Sequence, residues 1–211
     1  DLNDLMDILA AYGDCAEVNY SLSFDGVDDY VEIPHSTSLD ISGEALSIIS
    51  IAKVNGEDGG HMTTICKTTS FTPYGGYGQI SDNANNIWSF SITTNNSWQA
   101  VWTQDEYTFN EFETIVGVYD GNSAKIFIDG IQNNMNNTIS GSIKSIDGSV
   151  NIGRNPQPYG NPPYDYFNGE IDAILIFDRA LSNEEVNEFN ENNFDTDGLV
   201  GYWNFNEGSG N

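Results

Sequence analysis

The sequence of 211 residues carries 32 acidic and 6 basic side chains, so its formal net charge is 6 − 32 = −26. Such an acidic surface repels the phosphates of nucleic acids and of anionic lipids, which excludes both as partners and leaves cations and neutral ligands. No apolar run reaches the roughly 18 residues that a membrane-spanning helix requires, so we expect no membrane insertion.

Residues 1–17 differ in pattern from everything that follows. Leu2, Leu5 and Leu9 recur at helical spacing and Gly13 is a typical helix stop, which together predict a short amphipathic helix. The segment resembles the closing helix of dockerin-like or EF-hand-like calcium repeats, but the acidic loop of a complete repeat is missing. We therefore assign residues 1–17 to a helical linker or to the remnant of a preceding repeat.

From Val18 onward the pattern is that of β-strands. Short stretches alternate apolar and polar residues and are bounded by clusters of Asn, Asp, Gly and Ser. Asp-Gly pairs beginning at Asp120 and Asp129 predict two hairpins, and the Asn-rich tract Asn133–Asn137 is predicted to be a loop. About a dozen short strands with little helix predict an all-β, two-sheet antiparallel jelly-roll sandwich, placed at residues 18–194.

One segment near the C-terminus combines a strand with a helix start. The run Glu170–Phe177 is apolar apart from Asp172, which predicts a strand that is covered on both faces. Ser182 and Glu185 then have the spacing of a capping box, so we expect one short C-terminal helix.

The two ends of the sequence predict a longer parent protein. The chain starts without methionine, and we expect a module of an exported, multidomain protein that is secreted or held at the cell surface. Residues 195–211 are predicted to form a C-terminal strand and tail, which either begins a following repeat or completes this sandwich. Cys15 and Cys66 either form a disulfide or remain free thiols.

Four ordered motifs carry a family resemblance. They are similar to the signatures of laminin G-like, concanavalin A-like jelly-roll domains of secreted bacterial proteins, across roughly Val18–Asn192. The motifs are Leu22–Pro34, Val116–Gly130, Asn151–Gly153 and Tyr166–Val186. The resemblance implies the fold, which hosts lectins, enzymes, adhesive modules and structural spacers alike.

The same resemblance allows an enzyme to be considered. Laminarinase-type glycoside hydrolases of this fold use a Glu-x-Asp-x-(x)-Glu strand, whose two Glu side chains serve as nucleophile and acid/base. Glu170-Ile-Asp172 matches the first half of that motif, but Ile174 and Leu175 occupy the place of the second Glu. The two-step mechanism lacks a carboxyl group, so we predict that the chain is not an enzyme and has no catalytic residues.

A calcium site is the second implication of the resemblance. Related sandwiches join their first and last strands through a structural Ca²⁺, and the matching positions here are Asp25, the backbone oxygen near Gly43, and Asp172. A lone Asp in an apolar strand requires a partner, and carboxylate and carbonyl oxygens suit this hard cation. Alternatively, Asp172 accepts hydrogen bonds from the protein or lies at an exposed edge.

Aromatic side chains supply candidates for binding a polysaccharide or cell-surface glycan, because sugar rings stack on aromatic faces. The candidates are Tyr74, Tyr77, Trp98, Trp102, Tyr159 and Tyr164. We predict a non-catalytic, calcium-stabilised module for carbohydrate binding or adhesion, which contacts neighbouring domains of its parent chain. The alternatives are a spacer domain with no ligand of its own and, more remotely, a glycoside hydrolase.

Overall fold

The structure is a computed structural model that describes residues 20–56, 60–68, 75–82, 84–95, 97–156, 165–191 and 193–207. The predicted helix in residues 1–17 lies outside the described residues. The strands are β1 (Leu22–Asp25), β2 (Val31–Ile33), β3 (Leu46–Val54), β4 (His61–Thr68), β5 (Gly76–Asp82), β6 (Ile87–Thr94), β7 (Ser97–Trp102), β8 (Phe112–Tyr119), β9 (Ala124–Ile128), β10 (Ile131–Asn136), β11 (Val150–Ile152), β12 (Arg154–Asn155), β13 (Asp165–Tyr166), β14 (Asn168–Phe177) and β15 (Leu199–Trp203). A helix, α1, spans Asn183–Asn187, and a 3-10 turn spans Thr37–Leu39.

Two antiparallel sheets build the sandwich. The seven-stranded sheet has the order β1-β14-β3-β8-β9-β10, and β15 pairs with β14 as well. The six-stranded sheet has the order β2-β11-β4-β5-β6-β7, and β12 pairs with β13 in a separate ribbon. This arrangement confirms the predicted all-β sandwich. Within the described residues, no helix is long and apolar enough to cross a membrane.

Strand β14 is buried on both faces, as its apolar run predicts. One set of side chains enters the core between the sheets, and the other enters a second apolar cluster on the outer side of the seven-stranded sheet. The first set is Ile171, Ile174 and Ile176; the second is Ala173, Leu175 and Phe177. A β-bulge between Ile171 and Ala173 places Asp172 at the point where the alternation shifts by one residue.

One edge of β14 is shared by two strands. β1 pairs with β14 as far as Leu22 opposite Ile171, and β15 pairs with it from Trp203 opposite Ile174. The sandwich therefore extends through Trp203. Strand β15 thus completes this sheet, one of the two alternatives for residues 195–211, and it covers an edge that would otherwise expose unpaired backbone groups.

The two sheets are also joined by a buried polar side chain. Gln79 on β5 donates hydrogen bonds from Nε2 to the carbonyl oxygens of Ile48 and Ile115 in the facing sheet, each at 3.2 Å. Nearby, the sheets approach so closely that a Cβ added at Gly117 would lie 2.2 Å from Cγ of Phe90. Glycine at this position is thus required by the packing between the sheets.

The Asn-rich tract is a strand and not the predicted loop. β10 pairs with β9 across a turn in which Asp129 and Gly130 have φ angles of 49° and 79°, as the predicted hairpin requires. From β10, Asn134 Nδ2 donates to the carbonyl oxygen of Trp102 at 2.7 Å, and Asn136 Nδ2 donates to that of Ala100 at 3.4 Å. These amides satisfy carbonyl groups at the edge of the other sheet, a role that polarity alone does not reveal.

Helix α1 begins at the predicted capping box. The Ser182 hydroxyl accepts from the Glu185 backbone N–H at 3.2 Å, and the Glu185 carboxylate accepts from the Ser182 N–H at 2.7 Å. Arg179 binds the same carboxylate with both terminal nitrogens, at 3.0 and 2.6 Å. The hydrogen bond from Arg179 lowers the pKa of Glu185 to about 2. This pair fastens the helix to the end of β14.

The Arg179–Glu185 pair should make stability depend on acid pH. Because the folded-state pKa of Glu185 lies below its ordinary value of 4.5, the pair stabilises the fold above about pH 4.5 and loses its effect as the pH falls towards about 2. In Glu185→Gln, we expect a smaller fall in melting temperature across this interval than in the parent protein. Glu184→Gln, an exposed change on the same turn, is the control and should keep the parental profile. Identical pH profiles for the parent and Glu185→Gln would contradict this role.

Candidate functional site

The outer face of the six-stranded sheet carries a row of mostly small side chains that crosses all six strands. Neighbours in the row are opposite each other in the strand register: Glu32, Asn151, Cys66, Gly78, Ser91 and Ala100. With strands about 4.8 Å apart, the row is about 24 Å long. The middle of the row is buried, with Asn151, Cys66 and Ser91 at most 1% exposed, and the row is accessible at its two ends, Glu32 and Ala100.

Two tryptophans flank the row at its β7 end. Trp98 is opposite Thr93 and Trp102 is opposite Ser89, and both indoles lie on the outer face beside Ala100. Both Trp side chains are half-buried, while Ser89 and Thr93 are fully buried. Trp98 and Trp102 are four positions apart along the strand, which places their Cα atoms about 13 Å apart. The structure thus brings these two predicted residues together on one face.

The sequence analysis did not find the other side chains around this row. The His61 ring lies 6.4 Å from the Trp102 ring, although two strands separate β4 from β7. At the β2 end, the Arg154 guanidinium stacks 3.2 Å from the centroid of the Tyr30 ring and contacts Glu32 at 3.1 Å. These residues come from distant parts of the chain, and no local spacing in the sequence relates them.

Cys66 lies under the first residues after β11. Its thiol donates to the carbonyl oxygen of Arg154 at 3.4 Å and approaches the Asn155 side chain at 3.9 Å. Burial raises its pKa to about 12. Among the described residues Cys66 is a buried free thiol; Cys15 lies outside them, so whether the two form a disulfide stays a prediction. Cys66 therefore acts as a small packed side chain on this face.

The prediction for Tyr77 was wrong. Its side chain is 1% exposed and points into the core between the sheets, where its hydroxyl donates to the carbonyl oxygen of Leu39 at 2.9 Å. A ring in this position has no face for a sugar. Tyr74, Tyr159 and Tyr164 lie outside the described residues, so their role in glycan binding stays a prediction.

The three predicted calcium ligands do not converge. Asp25 is opposite Asn168 at the start of β14, whereas Gly43 precedes β3 near the other end, where Ser47 is opposite Phe177. The ten residues of β14 separate these two ends by about 30 Å. The ligands that the resemblance implies do not form one site, because the strand register places Asp25 and Gly43 near opposite ends of β14.

Asp25 instead lies in its own acidic turn. Its carboxylate accepts hydrogen bonds from the N–H groups of Val27 at 2.8 Å and Asp28 at 3.4 Å, while Asp29 accepts from the Asp25 N–H at 3.1 Å. Carboxylate oxygens of Asp25, Asp28 and Asp29 lie within 4.8 Å of one another, and all three residues are exposed. Hydrogen bonds within the turn account for this geometry.

Asp172 is 8% exposed and lies beside the bulge in β14. Its nearest carboxyl neighbour is Glu191, and the Tyr202 hydroxyl approaches Glu191 at 3.4 Å. Burial and the nearby Asp172 charge raise the pKa of Glu191. Asp172 is thus paired within the outer side of the seven-stranded sheet, one of the alternatives that the sequence left open.

Glu170 is held in an ion pair. Its carboxylate contacts Lys53 Nζ at 2.7 Å and accepts from the Ser21 hydroxyl at 2.8 Å. These hydrogen bonds, with Lys53 as the larger contribution, lower the pKa of Glu170. An ionised carboxylate can act as a nucleophile but is a poor proton donor to a leaving group, so Glu170 does not replace the acid/base residue that the half-motif lacks.

Most of the chain matches one known protein family. A family model described as concanavalin A-like lectin/glucanases superfamily matches residues 25–187. The chain belongs to this superfamily. No curated protein matches the sequence. Members of the superfamily share the sandwich described above, so the family match and the fold agree.

Solved structures show the same sandwich at low sequence identity. Domain 4 of an extracellular arabinanase from Geobacillus stearothermophilus, in complex with arabinotriose, matches with 16% identity and a TM-score of 0.63 over 82% of this chain and 77% of that chain. A putative carbohydrate-binding protein from Bacteroides ovatus matches with 13% identity and a TM-score of 0.65, over 88% of this chain and 53% of that one. A heptameric pentraxin from Limulus polyphemus matches with 14% identity and a TM-score of 0.55, over 79% of each chain.

Some similar structures are larger enzymes. A sialidase from Trypanosoma rangeli matches with 12% identity and a TM-score of 0.57, but this chain covers only 26% of it. The superfamily member described here therefore corresponds to a part of such a protein. At these identities the likeness establishes the fold alone.

Proposed function

We propose that this chain is a non-catalytic module that binds polysaccharide or cell-surface glycan through the outer face of its six-stranded sheet. It would act outside the cell as part of a longer protein, in glycan binding or adhesion. The observation that carries the proposal is the pair Trp98 and Trp102, which lie half-buried on one face beside a row of small side chains.

The chemistry of the face suits a sugar. Indole rings offer flat apolar surfaces for the C–H faces of pyranose or furanose rings, and their half-buried state keeps them oriented before binding. Arg154 and Glu32, at the far end of the row, supply a donor and an acceptor for hydroxyl groups. The two half-buried tryptophans, about 13 Å apart, match an oligosaccharide better than a single sugar.

The net charge favours a neutral glycan. At a formal charge of −26, the module repels sulfated or carboxylated polysaccharides unless a cation intervenes. The arabinanase domain, solved with arabinotriose, and the putative carbohydrate-binding protein from Bacteroides ovatus support binding of this class of ligand. The absence of the second Glu of the hydrolase motif, where Ile174 and Leu175 stand, supports a non-catalytic role.

The first test is retention in native gels that contain neutral polysaccharides, including arabinan. We expect at least one to retard the parent protein, and Trp98→Ala and Trp102→Ala each to weaken that binding about ten-fold or more, as for anchoring aromatics at other interfaces. Tyr20→Ala removes a ring that is 45% exposed next to the other sheet, and it should leave retention unchanged.

Three outcomes would contradict the proposal. Retention by no glycan would favour a spacer domain without a ligand. Equal losses in Tyr20→Ala and the tryptophan variants would place the site elsewhere. Reducing sugar released from the retained glycan by the parent protein, and not by Glu170→Gln, would favour a hydrolase.

Stabilisation by calcium stays a prediction. Asp25 and Asp172 are now independent candidates, so each can be tested alone. We expect calcium to raise the melting temperature relative to chelator, and Asp25→Asn to abolish the rise while Asp172→Asn retains it, because only Asp25 has exposed carboxylates close by. An unchanged melting temperature after chelation would remove calcium from the account.

A further inference from the structure

A cavity lies on the opposite side of the molecule from Trp98 and Trp102, outside the seven-stranded sheet. It occupies the space between α1 and residues 193–195, and its volume is about 190 Å³. An apolar cavity of about 150 Å³ is large enough to bind benzene, so this one can hold a ligand somewhat larger than a single aromatic ring.

The inner part of this cavity is apolar and largely aromatic. Phe177 and Leu181 are buried at its base, and the half-buried rings of Phe189 and Phe194 form its walls. Phe194 contacts Phe177 edge-on, with ring centroids 6.3 Å apart, and Phe189 at 5.6 Å. Phe194 also contacts Tyr202 edge-on at 5.7 Å, so three rings hold it in place where it lines the cavity.

The rim is acidic. Glu188 and Asp195 are exposed at its mouth, and within the described part of the chain neither is within ion-pair distance of a basic group. Glu185 also lines the cavity, but its charge is paired with Arg179. The cavity thus combines aromatic walls with two exposed negative charges, of which the Asp195 carboxylate also accepts from the Asp197 N–H at 3.0 Å.

Aromatic walls and an acidic rim together favour a cationic ligand without N–H groups. Aromatic faces attract cations through their quadrupoles, and the attraction strengthens when the cation is desolvated. A primary ammonium must place three N–H donors, and the side-chain acceptors of this cavity, Glu188, Asn193 and Asp195, are exposed residues, whereas the walls formed by Phe189 and Phe194 offer none. A quaternary ammonium has no N–H groups and presents methyl groups to the rings, so it loses no hydrogen bonds on entry.

We propose that this cavity is a binding site for a small quaternary ammonium ligand, held by the rings of Phe189 and Phe194 and by the charges of Glu188 and Asp195. The site is independent of the glycan-binding face, since it lies outside the other sheet. It would let the module engage a cationic group while its opposite face binds sugar.

The test compares two probes of matched shape by calorimetric or NMR titration of the whole chain. Choline carries the trimethylammonium group, and 3,3-dimethylbutan-1-ol is its neutral isostere. We expect choline to bind and the isostere to bind about ten-fold more weakly, the range expected for a partly desolvated cation–π contact. Equal affinities, or no binding of choline, would overturn the proposal.

Variants locate the site. The double variant Glu188→Gln, Asp195→Asn should weaken choline binding about five-fold or more by removing both rim charges, and Phe194→Leu should weaken it similarly while keeping the wall apolar. The control Glu106→Gln, Glu111→Gln removes the same charge from exposed residues elsewhere and should bind choline like the parent. Because the rim residues are exposed, the double variant should fold normally. Parental choline affinity in it would overturn the assignment.

Discussion

Strand β14 lies between two apolar layers, and this double burial determines what each side of the sandwich can do. Its inner side chains pack against the six-stranded sheet, and its outer ones against α1 and the segment that follows. The cavity beside Phe177 is the space on that outer side that α1 and residues 193–195 do not fill. On the six-stranded sheet, the middle of the outer face is buried, and the face is partly exposed at Ala100 and the half-buried Trp98 and Trp102 of β7. The proposed cation site is therefore a consequence of the packing around β14, while the proposed glycan site lies at the β7 edge of the other sheet.

Features that depend on neighbouring residues could be predicted from the sequence. The apolar run of β14, the capping box at Ser182 and the hairpin at Asp129-Gly130 all form as predicted, because each is determined within a few residues. The tract Asn133–Asn137 is predicted to be a loop because asparagine disfavours strands in general. The strand that forms there is stabilised by a partner edge 32 residues away, where the Asn134 amide binds the Trp102 backbone.

The candidate site could be predicted only in part, since it depends on strand register. Trp98 and Trp102 share a face by alternation, so their pairing could be foreseen, but alternation alone did not say that Tyr77 points inward. Likewise, Asp25 and Gly43 appeared compatible in one metal site until the register placed them at opposite ends of β14. Arg154 and His61 reach the face from other strands, and their position required the three-dimensional structure.

The central claim is that glycan binds over Trp98 and Trp102. The chain contains four tryptophans, and the other two, Trp88 and Trp203, pack in or against the core between the sheets. Indole N–H signals in ¹H–¹⁵N NMR spectra therefore report on all four positions during titration with the polysaccharide fragment that gives retention. The account predicts that the Trp98 and Trp102 signals shift and saturate together, while those of Trp88 and Trp203 stay in place. Saturable binding that leaves the Trp98 and Trp102 signals unchanged would contradict it.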